Sequence, residues 1–423
     1  MPRVHVLLDP LCSPSPLRLS FHDSSPHGCL TPASAPRDDI FLPLAPCGCF
    51  ISGQVDGPVT TAEGDKKTME RIPLVVRRMV AAEQCCAFVH FFASFDDVSA
   101  TPLAIETKAF SSAAAGGAAT SAASPAYQFV YDVMRSRNGQ ILFKNSYAER
   151  FMHSLTLAAP AHALPAELQS LVQSRLQAYI ESPGVYLDGA TEKNVKLLSW
   201  IPAAAASTKQ AETFPIPVIV MLSKSSYPSE SMYREGAKLG LLFNAHRTNP
   251  NAKVAQMGLR DRANAYLAEN GVYEVLLVHD AADVYLVPEG SRSNYLLQKS
   301  DGTWWCSAEE DILVGITLKT MYRVLQACGL GSVQHAKLTL KDILESKSLY
   351  ILGTSPTIMP VQSVLLYRDT ATRRFYEEAV RTLGATAGTA QQVSDDKAEL
   401  LLPVNVELAA ALRTQYFAEA ASS

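Results

Sequence analysis

Between Pro288 and Thr317 the chain gathers groups that suit a flat, anionic, nitrogen-containing ligand. Glu289-Gly290-Ser291-Arg292-Ser293-Asn294 ties an acid to a turn of small residues, and the short apolar strand Tyr295-Leu296-Leu297 follows. After a Ser-Asp-Gly turn, a helix is expected to begin at Gly315-Ile316-Thr317. A carboxylate answers a protonated ring nitrogen. A hydroxyl-bearing helix N-terminus answers an anion through its free N–H groups and its dipole. Both ends of such a ligand are provided for, and the rest of the chain must supply what it still lacks.

The bulk of the chain sets the frame for that site. At 423 residues and 48% hydrophobic content it is long enough for two domains with filled cores. The net charge is −4, from 37 basic and 41 acidic residues, without a basic run, so no nucleic-acid partner is expected. The central apolar run, 214–222, holds two prolines and is too short for a bilayer, so no membrane partner is expected either. Arg3 and Arg18 stand among acids and prolines rather than before a secretory apolar core. Cytoplasmic residence is the expectation, with a mitochondrial leader as the alternative. Eight cysteines in a chain of this size make no disulfide framework. Cys47, Cys49, Cys85 and Cys86 fit no common zinc spacing, so no metal is expected.

The elements that must position the site read as α+β in two domains. Residues 1–85 are read as a partly disordered N-terminal extension, rich in Pro and Ser over its first part, although 69–82 has helical spacing. Residues 86–205 are read as a small α/β domain interrupted by a low-complexity insertion at 111–124, and 206–423 as a larger domain. The Pro/Ala-rich stretch before Pro217 is the expected boundary. Strands are expected over 86–92, 129–134, 141–143, 195–201, 217–222, 273–279, 284–287, 348–352 and 358–364. Helices are expected from a cap at Asn145 or Ser146, over 165–180, 230–242, 253–270 and 317–328, and over 404–419. Neither GxGxxG nor GxxxxGK[ST] occurs, so a nucleotide phosphate loop has no support.

With these elements in order, the acidic turn and the Gly315-Ile316-Thr317 segment resemble the signature of the fold-type IV, class IV aminotransferases, which work with pyridoxal phosphate. The family includes branched-chain and D-amino-acid aminotransferases and aminodeoxychorismate lyase. The likeness covers roughly residues 88 to 420, apart from the insertion. It implies a small and a large domain, a homodimer, and an amino acid and a 2-oxo acid as small-molecule substrates.

The resemblance also assigns roles. Lys253, read as opening a helix that leads into the Tyr273-Glu274 strand, corresponds to the lysine that condenses with the cofactor aldehyde and then moves a proton. Lys238 is the weaker candidate. Glu289 corresponds to the carboxylate at the pyridine nitrogen, beside Ser291 and Asn294. Ile316, Thr317, Thr354 and Arg150 correspond to the phosphate donors. Tyr131 and Ser355 are placed toward the substrate.

Between Lys196 and Pro217 the chain lacks the arginine with which many members grip the substrate carboxylate. Lys196 or Arg292 could replace it. The expected activity is exchange of an amino group between an amino acid, branched-chain ones among the candidates, and a 2-oxo acid. β-Elimination of the aminodeoxychorismate lyase type is the alternative, and a non-catalytic cofactor-binding protein the remote one.

Overall fold

The computed structural model describes residues 68–83, 85–95, 97, 103–110, 127–160, 164–181, 187, 191–202, 215–281, 284–367, 390–394 and 397–421. The insertion expected at 111–124, the Pro/Ser-rich part of the extension and Cys47 and Cys49 lie outside them. Helices and two large sheets make an α+β fold, as the pattern predicts.

The first sheet holds β1 (Cys85–Phe92), β2 (Leu103–Glu106), β3 (Tyr127–Arg137), β4 (Gln140–Ile141), β5 (Lys193–Pro202) and β6 (Val218–Lys224), in the order β2-β1-β6-β5-β3-β4. Helix α1 (Leu74–Ala81) covers one face, where Ile72, Val76 and Val80 meet Val89, Phe91 and Trp200. Helices α2 (Lys144–Ala158) and α3 (Leu168–Glu181) cover the other, with Phe151, Leu155 and Val172 against Val130 and Met134. Two boundaries therefore differ from the sequence reading. The segment from residue 68 is packed core rather than extension. The expected domain boundary falls inside this sheet, because β6 pairs along its length with β5.

The period of two along β3 separates two kinds of chemistry. Asp132 shares the α2/α3 face with Val130 and Met134, while Tyr131 packs with the α1-side cluster. At the end of β3, Asn138 and Gly139 both have positive φ (52° and 76°), the hairpin turn that returns the chain into β4. The returning strand is only two residues long, because Phe143 turns left-handed and starts α2 at once, ahead of the cap expected at Asn145 or Ser146.

The rest of the chain builds the second sheet and its helices: first α4 (Glu230–Glu235), β7 (Ala237–Phe243), α5 (Met257–Asn270), β8 (Glu274–Ala281), β9 (Val284–Leu286), β10 (Asn294–Gln298) and β11 (Trp304–Ser307). Then come α6 (Ile316–Ala327), β12 (Val333–Ala336), α7 (Leu340–Leu344), β13 (Ser348–Gly353), β14 (Thr357–Tyr367), β15 (Ala390–Ser394), β16 (Lys397–Leu401) and α8 (Val406–Ala421). The strand path is β12-β11-β10-β13-β14-β7-β8-β9, with β16 joining β14 and β15.

Two expected helices are corrected here. Residues 230–242 are not one helix: Gly236, at φ 91°, ends α4, and Ala237–Phe243 becomes a central strand parallel to both neighbours. Its near-continuous apolar run is the mark of a strand buried on both faces. Gly240 lets the Tyr266 ring of α5 approach its backbone closely, since a Cβ there would stand 2.3 Å from Tyr266 Cε1. Nor does Lys253 open a helix. Val254 forms a bridge to Val130, so the backbone of 253–255 is extended and α5 begins only at Met257.

Candidate active site

The acidic turn is built by Glu274, at the start of β8 and 2% exposed. Its carboxylate accepts from the Ser291 and Ser293 hydroxyls (2.6 and 3.1 Å) and from the Arg292 and Val275 amides (3.1 and 2.8 Å). The turn closes with Gly290 N donating to Ser293 O at 2.8 Å, an approach only a glycine permits, because a Cβ there would meet Ser293 Oγ at 2.4 Å. Leu277 N donates to Glu289 O and Ser291 N to Val275 O (both 2.9 Å), pinning the turn along β8. Glu289 is thereby pointed inward and is 2% exposed.

Around the Glu289 carboxylate the hydrogen bonds are incomplete. Oε2 accepts from Leu313 N (3.3 Å) and Asn294 Nδ2 (3.4 Å). Oε1 touches Arg247 Nε at 2.7 Å, but the pair is not aligned as a hydrogen bond, and both atoms are buried without a hydrogen-bond partner. Burial pushes the Glu289 pKa up to about 7, against the downward pull of Arg247, the Leu313 amide and Lys253. Asn294 links this acid to the next helix: it donates to Leu313 O (2.9 Å) and accepts from Gly315 N (3.2 Å), one residue ahead of α6.

Lys253 approaches from the opposite side. Tyr131 N donates to Lys253 O (3.1 Å), Ala255 N to Phe129 O (2.8 Å), and Lys253 N to the Ser154 hydroxyl on α2 (3.0 Å). Its Nζ stands 5.2 Å from the Tyr131 ring centroid. Burial lowers its pKa below the ordinary lysine value; Arg150 and Arg247 push the same way, and Tyr131 and Asp132 oppose them. A larger fraction of uncharged amine results, which is what a nucleophile or proton carrier requires. Tyr131 itself is pushed up by burial, but the charges of Lys253, Arg247, Arg260 and Lys196 outweigh that and leave its pKa lowered.

One turn before Ser154 on the same helix face, Arg150 forks onto Asp132 of β3, Nε to Oδ2 at 2.9 Å and an Nη to Oδ1 at 2.5 Å. Asp132 is fully buried. The fork spends part of the guanidinium and fixes the direction of what remains. Tyr147 meets Thr354 through their hydroxyls at 3.0 Å, in the turn between β13 and β14.

These residues surround two cavities. A small one of about 40 Å³ is lined by Arg150, Thr317, Thr354, Glu289, Lys253 and neighbouring backbone that includes Gly315 and Ile316. That is room for roughly three waters, the scale of one compact anion. A larger one of about 600 Å³ is lined by Tyr131, Lys253, Ser291, Ser355 and the facing side of α5. Lys253, Arg247, Arg292, Ser293 and Thr354 line both.

The residues singled out in the sequence are therefore brought together, with distinctions among them. Glu289, Asn294, Ile316, Thr317, Thr354 and Arg150 line the small cavity, Tyr131, Ser291 and Ser355 the large one, and Lys253 both. The Ser291 hydroxyl is committed to Glu274 and Asn294 to its neighbours, so these two shape the site more than they offer free donors. Lys238 lies on β7 in an ion pair with Glu399 at 3.1 Å and lines neither cavity. Lys196 is paired with Glu83, and Arg292 with Glu274 and Tyr273 O. Sequence reasoning missed Arg247, Asp132 and the buttressing role of Glu274.

The amino-transferase class IV family model matches residues 129–364, more than half of the chain and nearly the whole of the site. The chain belongs to the class IV aminotransferases. Members of this family are pyridoxal-phosphate-dependent transaminases. Among solved structures, the fold-type IV transaminase CpuTA1 from Curtobacterium pusillum aligns at a TM-score of 0.53 with 14% identity, over 79% of this chain and 98% of that one. A hypothetical aminotransferase from Mycobacterium tuberculosis, in its apo form, aligns at 0.52 with 15% identity, over 80% and 100%. At these identities the likeness speaks for the fold alone. No curated protein gives a significant match.

The residues fit the family's cofactor. The small cavity presents an arginine, two hydroxyls and a helix N-terminus to an anion, and Glu289 Oε1 is a buried acceptor without a donor beside the one half-buried lysine common to both cavities. Among the described residues no cluster of His, Cys, Asp and Glu is suited to a metal ion, and no helix is long and apolar enough to cross a membrane.

Proposed function

We propose that this class IV aminotransferase holds pyridoxal phosphate between Lys253 and Glu289 and exchanges an amino group between an aliphatic amino acid and a 2-oxo acid. The observation that carries the reading is the position of Lys253: a lysine of lowered basicity where an anion-sized cradle meets a cavity large enough for a substrate. Bound pyridoxal phosphate would supply an aldehyde for the substrate amine and an electron sink that weakens the neighbouring C–H bond. Arg150, Thr317, Thr354 and the amides at the start of α6 would hold its phosphate. Glu289 would accept a hydrogen bond from the ring nitrogen and keep it protonated.

Lys253, in this reading, would take the proton from the substrate carbon as a base and give it back as an acid, serving both half-reactions from one site. Tyr131 covers the lysine and helps to shut out water. Val133, Val254, Leu259 and Ala263 give the large cavity an apolar wall that suits a branched aliphatic side chain. A homodimer and cytoplasmic residence belong to the same reading; the free thiols of Cys306 and Cys328 accord with a reducing compartment.

The test is spectroscopic and then chemical. The purified protein given pyridoxal phosphate should hold a visible absorbance band that borohydride removes, and Lys253→Ala should lack it. A screen of aliphatic amino donors against 2-oxoglutarate and pyruvate should then yield the new amino acid in step with consumption of the donor. A colourless protein that does not take up the cofactor would sink the reading. Continued release of pyruvate, beyond one equivalent per site, from a donor that carries a leaving group on its β-carbon and without any acceptor would replace transamination by elimination.

A further inference from the structure

Six cations stand on the wall of the large cavity: Lys196, Lys224, Arg247, Lys253, Arg260 and Arg292. Three are taken up by the protein. Lys196 pairs with Glu83, Arg247 with Glu289, and Arg292 with Glu274 and the Tyr273 carbonyl. Lys253 has its own task. Only Lys224 and Arg260 remain without an acid, carbonyl or hydroxyl acceptor for their side chains among the described residues. Both side chains are exposed; Lys224 is the last residue of β6 and Arg260 lies in the first turn of α5.

Arg260 belongs to the cavity by its place on α5. Gln256, Leu259, Ala263 and Asn264 line the same cavity, the spacing of a single helix face, and Arg260 falls within that face. Its charge is one of those felt at the Tyr131 phenol, the ring that covers Lys253. Next to it, Leu259 and Ala263 offer an apolar surface. A carboxylate held by Arg260 would thus place the substrate carbon chain along an apolar strip, with Lys253 and Tyr131 within the same space.

We propose that Arg260 is the residue that grips the substrate carboxylate, a specificity determinant carried by the helix that follows the lysine rather than by the first sheet. The sheet's own cation at the corresponding wall, Lys196, is neutralised by Glu83 at the end of the segment carrying α1. A planar guanidinium with five donors matches a carboxylate in two-point fashion, which the point charge of Lys224 does not. The inference rests on the amino-acid reading above for the identity of the ligand, and on the unspent arginine for its position.

Binding of an unreactive substrate mimic tests it without turnover. Calorimetry on the full chain preincubated with pyridoxal phosphate compares 4-methylpentanoate with its neutral amide, 4-methylpentanamide. Arg260→Gln should weaken the carboxylate by about tenfold or more while leaving the amide within about twofold, the scale of a lost charge-assisted hydrogen bond. Arg260→Lys should recover part of the loss, and Lys224→Gln should change neither ligand. The assignment is overturned if Arg260→Gln leaves the carboxylate unchanged, if it weakens both ligands equally, or if the wild type does not favour the carboxylate. Absence of transamination with carboxylate binding still dependent on Arg260 would sink the proposed reaction and leave the assignment standing.

Discussion

Arg247 Nε lies 2.7 Å from Glu289 Oε1 inside the protein, yet neither atom makes a hydrogen bond. The arginine neutralises the acid without using up its acceptor, because its own Nη group is drawn to the Ser291 carbonyl at 2.9 Å. Glu289 is thus kept charge-compensated and still free to receive a donor.

Removing that compensation should be costly. Arg247→Gln leaves a buried carboxylate alone, and a loss of roughly 3–5 kcal/mol is expected for breaking such a pair from one side. Urea denaturation of the cofactor-free protein measures it. A change of less than about 1 kcal/mol would mean that the carboxylate is already neutral and the pair contributes little.

Glu289 also sets a pH dependence with a definite sign. Its folded pKa is raised from the ordinary 4.5 to about 7, so between these values the folded state holds a proton that the unfolded chain has lost. Stability of the cofactor-free protein should therefore fall as pH rises from about 4.5 to about 7, by on the order of 3 kcal/mol at most. Glu289→Gln, which cannot titrate, should flatten that slope in a series of melts across the range. An unchanged slope in the variant would assign it to other groups.

Asp132 acts on the anion cradle through Arg150. Asp132→Asn keeps the size of the side chain but gives up the charged fork, so the guanidinium loses its fixed direction. Affinity for pyridoxal phosphate should drop about tenfold, with the absorbance of the saturated protein unchanged. Equilibrium dialysis against the cofactor decides it; an equal loss with pyridoxal lacking its phosphate would refute a role at the cradle.

Two glycines make a matched comparison of steric cost. A Cβ on Gly315 would stand 2.5 Å from Asn294 Oδ1, the atom that receives the Gly315 amide, whereas a Cβ on Gly258 in α5 meets nothing within 4 Å. Gly315→Ala should cost roughly 1–3 kcal/mol by displacing Asn294. Gly258→Ala should stabilise by about 0.5–1 kcal/mol through helix propensity. Chemical denaturation of both variants gives the two signs side by side.

What could be read from the sequence was local. The acidic turn, the helix beginning at Ile316 and the Gly353-Thr354-Ser355 turn announce themselves through glycines and hydroxyl residues next to short apolar strands. Lys253 stands out in the sequence through the order of these elements, but the α5 pattern extrapolates back over it and predicts a helical backbone there. Pairing with Val130, far away in sequence, decides otherwise. Similarly, the apolar run after Gly236 passes for more of α4 until two parallel neighbours claim it as β7. Arg247 left no signal, being a loop arginine whose meaning comes entirely from its approach to Glu289. Asp132 looked like one polar position in a strand, and only the arrival of Arg150 on α2 gives it a task.

The backbone bonds at Lys253 bear on how the molecule can open. Because Tyr131 N and Ala255 N both donate across this line, the lysine is mechanically part of the first sheet although its chain belongs to the second. Prying the sheets apart there would break both bonds together. Any movement that leaves these two bonds intact carries the lysine along with the first sheet and keeps its spacing from the Tyr131 ring.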